Sequence, residues 1–298
     1  MLSAVERKIE QFIDELDDST TKRLYAQIPA GKRLRAKLIL KIASGSLSAV
    51  KLAAVVEMIH AASLLHDDVI DDAFTRRNRP SINASFGNKV AIMLGDILYS
   101  KGFYELNNID AKVAQVISNA VTQLSLGEQA DVMLASSFNA SKDDYMKMIY
   151  QKTASLIEAS SEAAAILANK DRLIYRTYGR NIGIAFQIID DILDITASSE
   201  QLGKPALNDF VEGKSTLPYI YLYNALESDE RVKLLSLHAK KLSSQELEWI
   251  GAKFKEHAII EQCINEAREL AKEAVAMMEK EGNASLKKIA QDMVDRDF

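Results

Sequence analysis

Two copies of the pattern Asp-Asp-x-x-Asp are the residues of this chain whose types and spacing could do chemistry. They occupy Asp67–Asp71 and Asp190–Asp194, and each follows an apolar run with helical spacing. Residues i and i+4 of an α-helix share one face, so the outer aspartates of each pattern form a carboxylate pair. Hard divalent cations prefer such oxygen ligands. We therefore predict a site for Mg²⁺ at the outer aspartates, which are Asp67, Asp71, Asp190 and Asp194.

Lysine and arginine side chains accompany both acidic patterns. These cations are Lys32, Arg35, Arg76, Arg77, Lys152, Lys204 and Lys214. Lys32 and Arg35 lie near the start of a predicted helix, where backbone N–H groups also favour anions. Metals that bridge carboxylates to phosphate oxygens, with Lys and Arg neutralising the remaining charge, are typical of a diphosphate site.

Helices are the elements that must position these groups. Four prolines occur in the whole chain and none between Pro80 and Pro205, while the runs typical of strands and hairpin turns are absent. Apolar spacing predicts helices over 3–17, 32–44, 48–72, 88–107, 110–134, 142–168, 171–195, 215–226, 229–239, 243–255, 258–280 and 284–295. We predict an all-α fold in a single domain, residues 1–298, because no Pro/Gly/Ser-rich linker divides the chain.

Composition and charge exclude several classes of protein. The net charge of −5 does not suit a protein that binds nucleic acid over its whole surface. A single cysteine, Cys263, excludes an intramolecular disulfide, and we expect it to be an inert helix residue. The N-terminus lacks the pattern of a signal peptide, and we find no stretch of about 18 apolar residues. We therefore expect a cytoplasmic protein without a membrane span.

Taken together, the motifs resemble those of the trans-isoprenyl (polyprenyl) diphosphate synthase family. Residues 64–71 with 76–80 resemble its first aspartate-rich region, and residues 186–194 with 203–204 and 213–218 resemble its second. Residues 31–35, 127–128 and 152–153 match the remaining motifs in order. The chain departs from the family at Ala30, Ala36 and Asn78, where the family usually has Gly, Pro and Gly. None of these departures replaces a charged group.

This resemblance implies a fold, a metal and a set of roles. The fold would be the isoprenoid synthase fold, a bundle of about ten or more helices around a central cavity. The cofactor would be Mg²⁺, about three ions per site, held by the four outer aspartates. The allylic diphosphate would be bound by Arg76, Lys152, Lys204 and Lys214, and isopentenyl diphosphate by Lys32, Arg35, His60 and Arg77. The implied catalytic residues are Lys152, Thr153, Gln187 and Lys204.

The implied reaction is ionisation, condensation and elimination. Cations stabilise charge on the leaving diphosphate, the double bond of isopentenyl diphosphate attacks the allylic carbocation, and a proton is lost. The central aspartates lie about 100° off the metal faces. We expect Asp68 to support the site from behind, and Asp191 to contact a third metal or a lysine.

Product length is expected to depend on the residues one turn before Asp67. Ala62 and Ser63 are small there, whereas family members with large aromatic residues at these positions stop elongation early. The predicted helix 48–72, about 37 Å long, could line a tunnel for a product of about C30 to C45. We take octaprenyl as the single expected product. Phe103 and Tyr104 are candidates for the floor of the tunnel.

Four alternatives remain open. A short-chain farnesyl or geranylgeranyl diphosphate synthase would need larger residues below the first pattern. A class I terpene cyclase would not need the residues assigned to isopentenyl diphosphate. A non-catalytic subunit of a heteromeric synthase typically loses aspartates from one of the two patterns, and both patterns are intact here. His60 could instead be structural; its Glu-x-x-His spacing with Glu57 also occurs in di-iron bundles, but no second copy is present. His66 is expected to support packing.

The resemblance also implies partners. We expect a homodimer that takes two isoprenyl diphosphates and binds no nucleic acid. A respiratory quinone side chain is the expected destination of the product, and transient membrane contact at product release is left open.

Overall fold

The regular structure is almost wholly helical, which confirms the predicted all-α class. A computed structural model describes residues 1–44, 46–196 and 207–294. The helices are α1 (Leu2–Asp14), α2 (Ser19–Tyr25), α3 (Leu34–Ile42), α4 (Leu47–Ile70), α5 (Ile82–Phe86), α6 (Asn88–Leu106), α7 (Ala111–Leu134), α8 (Lys142–Ile149), α9 (Ser155–Leu167), α10 (Arg172–Thr196), α11 (Asn208–Val211), α12 (Leu217–Ala225), α13 (Ser228–Leu237), α14 (Ser244–Glu256), α15 (Ile259–Lys280) and α16 (Ala284–Val294). A π-helical segment, Tyr150–Ala154, joins α8 to α9.

A small hairpin follows α4 and was not predicted. Its strands are β1 (Thr75–Arg76) and β2 (Arg79–Pro80), paired antiparallel with Arg76 opposite Arg79. Both turn residues, Arg77 and Asn78, have positive φ, 52° and 58°. A two-residue turn of this kind favours Gly or Asn, so Asn78 serves where the family usually has Gly. The hairpin escaped prediction because the Asn-Gly or Asp-Gly signal is missing.

Several helices also differ from prediction, and three of the differences have a clear physical cause. The short helix α2 was missed, because it has too few residues for an apolar stripe and begins instead at a side-chain cap, Asp18 accepting the N–H of Thr21 at 2.6 Å. The predicted helix 32–44 starts at Leu34, since Arg33 has a left-handed backbone with φ 53°. The predicted helix 142–168 is interrupted by the π segment.

The chain divides into two compact units. The first unit is Met1–Val121 with Leu156–Arg176, and the second is Thr122–Ser155 with Thr177–Phe298. The prediction of a single domain over residues 1–298 stays a prediction.

Helix α4 is the centre of the first unit. It packs against α6, α3 and α1, and Leu52, Ala53 and Val55 on it are fully buried. Within the described residues, Ser48–Ile70 is the one segment apolar and long enough to cross a membrane, and most of it is buried in the protein. A core helix explains this composition, since α4 is surrounded by apolar partners on most sides.

The second unit has its core on the apolar face of α10. Ile188 and Ile192 are fully buried there, one helical turn apart. Phe210 of α11 stacks on Tyr219 of α12 with ring centroids 4.4 Å apart, and Cys263 of α15 is fully buried in the same core. This packing holds α10, and therefore the second acidic pattern at its end, in a fixed orientation.

Candidate active site

The first acidic pattern lies at the C-terminal end of α4. The N–H of Asp71 donates to the carbonyl of Asp67 at 2.8 Å, so the two residues stand one turn apart as predicted. Asp67 is half-buried and Asp71 is exposed. The C-terminus of a helix carries partial negative charge, which makes carboxylates unfavourable there. A pair of them at this end is therefore suited to a bound cation.

Asp68 points into the protein and holds Arg76. Its Oδ1 accepts from Arg76 Nε at 2.7 Å and lies 2.6 Å from Nη2. Burial raises the pKa of Asp68, and the bond from Arg76 opposes that rise. Asn83 lies next to Asp68, and its side-chain amide donates to the backbone carbonyls of Asp68 and Ala73 at 2.9 and 3.0 Å. These contacts place the Arg76 guanidinium next to the first acidic pattern. They agree with the expectation that Asp68 orients a neighbouring group and does not bind the metal itself.

The first unit also gathers three members of the predicted isopentenyl set. Burial lowers the pKa of His60 well below its usual value, and the charges of Arg35 and Arg77 lower it further. His60 is therefore a neutral imidazole among cations. Burial also lowers the pKa of Arg35 to about 10, and its buried Nε has no hydrogen-bond partner among the described residues. An anion would satisfy both features.

Arg77 is held by the loop before α3. Its Nη1 donates to the carbonyl of Pro29 at 2.8 Å. A Cβ on Gly31 would lie 2.9 Å from Arg77 Nη2, so a larger residue there would displace the Arg77 guanidinium. Lys32, next in the chain, is exposed. The predicted Gly-Lys motif is thus a loop that contains Lys32 and contacts the side chain of Arg77.

Arg33 and Glu57 were not predicted to have a role, and they fix the start of α3. Arg33 donates to Glu6 from Nε at 2.7 Å and from Nη2 at 3.0 Å, and from Nη1 to Glu57 at 3.2 Å. The other oxygen of Glu57 accepts the N–H of Ala36 at 3.0 Å. Glu57 is 3% exposed. These contacts make Glu57 a helix cap and an ion-pair partner.

Three further residues of α4 pack within the first unit. Ala62 and Ser63 are buried, and the hydroxyl of Ser63 donates to the carbonyl of His60 at 2.9 Å. His66 contacts the ring of Tyr99, with centroids 5.6 Å apart. A Cβ on Gly95 would lie 2.3 Å from His66 Nε2. His66 therefore packs against α6, in agreement with its expected role.

The two candidates for a tunnel floor differ in exposure. Phe103 is partly buried and stacks on Tyr99, with centroids 6.2 Å apart. Tyr104 is 63% exposed and lines an open groove of about 790 Å³ beside Lys101. Their role stays a prediction.

The second acidic pattern ends α10 in the second unit. Asp190 is exposed, whereas Asp194 is 3% exposed. Asp194 Oδ2 accepts the N–H of Asp209 at 3.1 Å, and its carbonyl accepts the N–H of Leu207 at 3.0 Å. Asp194 therefore anchors α11 to α10, so of the two outer aspartates Asp190 is the more accessible to a metal.

Asp191, the central aspartate, is buried and accepts two hydrogen bonds within a chain of four side chains. Tyr145 donates to Asp191 Oδ2 at 2.6 Å and Gln187 Nε2 donates to Oδ1 at 2.8 Å. Thr153 in turn donates to Gln187 Oε1 at 2.7 Å. Burial, followed by the charge of Asp209, raises the pKa of Asp191. The expectation that Asp191 contacts a lysine has no support in these contacts.

Lys152 lies between two carboxylates of α7. Its Nζ is 2.8 Å from Glu128 and 2.6 Å from Asp131, both buried. Asp131 was not singled out from the sequence, although its spacing of three residues from Glu128 places both on one helical face. A Cβ on Gly127 would lie 2.2 Å from the backbone nitrogen of Lys152. Gly127 thus allows α7 to approach the π segment that carries Lys152 and Thr153.

The loop lysines are only partly described. Lys214 follows Gly213, which has φ 88°, and its Nζ is 3.0 Å from Glu212. Lys204 lies outside the described residues.

The carboxylates suit Mg²⁺ that is bound together with a substrate diphosphate. Among the described residues, no group of three or more His, Cys, Asp or Glu side chains is placed to hold a metal by itself. The outer aspartates supply hard oxygen ligands, two in each pattern. Mg²⁺ takes six oxygens and is commonly bound by one or two carboxylates with substrate phosphates and water. The residues present fit that arrangement.

Comparison with known proteins agrees with this architecture. The profile of the polyprenyl synthetase family matches residues 19–253. Octaprenyl diphosphate synthase of Haemophilus influenzae is 34% identical over 281 residues, covering 90% of this chain and 85% of that protein. The crystal structure of octaprenyl pyrophosphate synthase from Helicobacter pylori superposes with a TM-score of 0.94 and 45% identity, covering 99% of this chain and 98% of that one.

A heptaprenyl diphosphate synthase gives a second structural match. The protein from Staphylococcus aureus has a TM-score of 0.91 and 27% identity, and covers 100% of this chain and 98% of its own. These matches confirm the isoprenoid synthase fold and the resemblance inferred from the motifs. The chain belongs to the polyprenyl synthetase family.

Proposed function

We propose that this chain is a Mg²⁺-dependent prenyltransferase that condenses isopentenyl diphosphate with an allylic diphosphate to give a long all-trans polyprenyl diphosphate. The observation that carries the proposal is the placement of Asp67 with Asp71, and of Asp190, at the C-terminal ends of two helices. Carboxylates at these ends need cations, and metals held there would bind a diphosphate.

The allylic diphosphate is assigned to the acidic patterns and their neighbours. Bound Mg²⁺ would neutralise charge on the leaving diphosphate. Arg76, oriented by its bonds to Asp68, is a direct partner for phosphate oxygens. Lys152 and Lys214 each lie beside carboxylates here, and we assign their ammonium groups to the same diphosphate. Lys204 is retained in this set from the family motif.

Isopentenyl diphosphate is assigned to the second cation set. Three side chains provide positive charge without metal ligands: Arg35, whose Nε is buried, the exposed Lys32, and Arg77, which lies against Gly31. His60 is neutral in this environment and would act as a hydrogen-bond donor or acceptor. Thr153 and Gln187 are assigned to the neighbourhood of the reacting carbons, where their dipoles would stabilise developing positive charge.

An octaprenyl chain is our specific proposal for the product. Ala62 and Ser63 are small, buried and one turn before Asp67, which supports an open path for elongation. The two proteins named as octaprenyl synthases, from Haemophilus influenzae and Helicobacter pylori, are among the similar proteins. We also propose a homodimer in the cytoplasm, with farnesyl or geranylgeranyl diphosphate as the starter.

The test is product analysis of the isolated chain with farnesyl diphosphate, labelled isopentenyl diphosphate and Mg²⁺. A long polyprenyl alcohol after dephosphorylation is expected, and EDTA should abolish it. Absence of turnover that a partner chain restores would instead identify a non-catalytic subunit.

Chain length has a separate test. Ala62→Phe should shorten the product while condensation continues, because a phenyl ring beneath Asp67 blocks the path of the chain. Ala62→Ser keeps the small volume and serves as the control. An unchanged product from Ala62→Phe would show that the path lies elsewhere.

A further inference from the structure

The second unit contains a hydrogen-bonded chain of four side chains, of which Tyr145 and Asp191 are buried. Tyr145 of α8 is fully buried, and its hydroxyl lies 2.6 Å from Asp191 Oδ2. Gln187 Nε2 lies 2.8 Å from Asp191 Oδ1, and Gln187 Oε1 lies 2.7 Å from Thr153 Oγ1. Tyr145 has no role in the family motifs quoted above.

Chemistry fixes the direction of each bond in this chain. Asp191 accepts at both carboxylate oxygens, from the Tyr145 hydroxyl at Oδ2 and from Gln187 Nε2 at Oδ1, so Tyr145 holds the carboxylate in the plane in which Gln187 meets it. Gln187 can donate only from its amide nitrogen, so that nitrogen must face Asp191 and its carbonyl oxygen must face Thr153. Thr153 then has to donate its hydroxyl proton to Gln187. The reverse orientation of the amide would place an N–H group against Thr153 and a carbonyl against a carboxylate oxygen.

We infer that Tyr145 is a positioning residue for the proposed condensation, because through Asp191 and Gln187 it fixes the direction of the Thr153 hydroxyl. Because Thr153 donates its hydroxyl proton to Gln187, it offers only oxygen lone pairs to any further group. Such a preorganised oxygen attracts developing positive charge and cannot donate a proton to a carbanion or an oxyanion. Tyr145 acts through the other residues and is not assigned contact with substrate.

The backbone supports the same orientation. Thr153 lies in the π segment Tyr150–Ala154, and π segments frequently occur at functional sites. A Cβ on Gly183 of α10 would lie 2.8 Å from Ala154 Cα. This close approach sets the Thr153 side chain opposite Gln187, one turn further along α10, and leaves the pair little freedom to rearrange.

The inference rests on the proposed function and is tested with Tyr145→Phe in the same assay. We expect kcat to fall about tenfold, the effect of one lost hydrogen bond of ordinary strength. The KM for isopentenyl diphosphate and the Mg²⁺ concentration for half-maximal rate should not change. An unchanged kcat overturns the inference, and a shift in Mg²⁺ dependence would place Tyr145 in metal binding instead.

Tyr178→Phe is the matched control. Tyr178 is also fully buried in the second unit, and its hydroxyl donates to the carbonyl of Leu286 at 2.9 Å. It should lower thermal stability much as Tyr145→Phe does, with kcat per folded enzyme unchanged. An equal fall in kcat for both variants would reduce the role of Tyr145 to general stability.

A double-variant cycle tests whether Tyr145 acts through Thr153. Thr153→Val should lower kcat, and adding Tyr145→Phe to it should lower kcat no further. Additive losses would overturn the route through Thr153. If Tyr145→Phe does not fold, Gln187→Leu breaks the next bond of the chain and is paired with Thr153→Val in the same way. A wild-type chain without turnover would refute the proposed function itself.

Discussion

Replacing Glu57 by glutamine should separate stability from substrate binding at the start of α3. Glu57 is 3% exposed and satisfies two groups at once: the N–H of Ala36 at 3.0 Å and Arg33 Nη1 at 3.2 Å. A glutamine keeps the shape and one oxygen. Its NH₂ group must then face either the guanidinium or the backbone N–H, both of which are donors.

The expected loss follows from the contacts. A hydrogen bond to a charged group contributes about 1.5–3 kcal/mol, and breaking a buried ion pair costs about 3–5 kcal/mol. Arg33 keeps its two bonds to Glu6, whose side chain is 42% exposed. The lower part of the range therefore applies, and we expect Glu57→Gln to reduce the free energy of unfolding by about 2–3 kcal/mol.

The same substitution should affect one substrate more than the other. Lys32 and Arg35 flank Arg33, so loss of the cap at Ala36 displaces the cations assigned to isopentenyl diphosphate. We expect the KM for isopentenyl diphosphate to rise about tenfold or more, with little change in the KM for the allylic substrate. Urea denaturation measures the first effect and steady-state kinetics the second.

Glu105→Gln is the matched control in the same unit. Glu105 is 5% exposed and pairs with Lys101 at 2.6 Å and with Lys51 at 2.9 Å. It should lose similar stability with both KM values unchanged. The reasoning is refuted if Glu57→Gln unfolds at the wild-type urea concentration, or if its KM for isopentenyl diphosphate does not differ from that of Glu105→Gln.

Two further predictions concern packing. Gly127→Ala should lower the free energy of unfolding by more than about 2 kcal/mol and remove most of the activity, because its Cβ would lie 2.2 Å from the backbone nitrogen of Lys152. Gly251→Ala is the control: its Cβ would meet no described atom within 4 Å, so urea denaturation should show neutral or increased stability. Cys263 is fully buried and burial raises the pKa of its thiol, so a thiol reagent should leave the native chain unlabelled and react only once it unfolds. Rapid labelling of the native chain would contradict that burial.

The sequence was most informative where chemistry repeats at helical spacing. The outer aspartates, the all-α class and the family could be inferred because i, i+4 pairs and motif order are visible in the chain. The hairpin at residues 75–80 was not predictable, since its turn uses Arg77 and Asn78 in place of a glycine. Nor was the π segment, because it depends on contacts that Gly127 and Gly183 permit.

Roles within the patterns depended on burial, which spacing does not report. Asp190 and Asp194 are equivalent in sequence, yet Asp190 is exposed and Asp194 anchors α11 through the N–H of Asp209. Arg33 and Arg35 are two residues apart, yet Arg33 is neutralised by Glu6 and Glu57, whereas the buried Nε of Arg35 has no partner among the described residues.

By itself, then, the sequence determined which groups exist and how they repeat along helices, and that is sufficient to infer the family and to propose the metal chemistry. Only the tertiary structure decided which of those groups are exposed and which are buried and bound by residues of other helices. The physical reason is that a side chain's charge and direction are set by its neighbours from other helices. Tyr145 illustrates this, since its partner Asp191 is 46 residues away in the chain and 2.6 Å away in space.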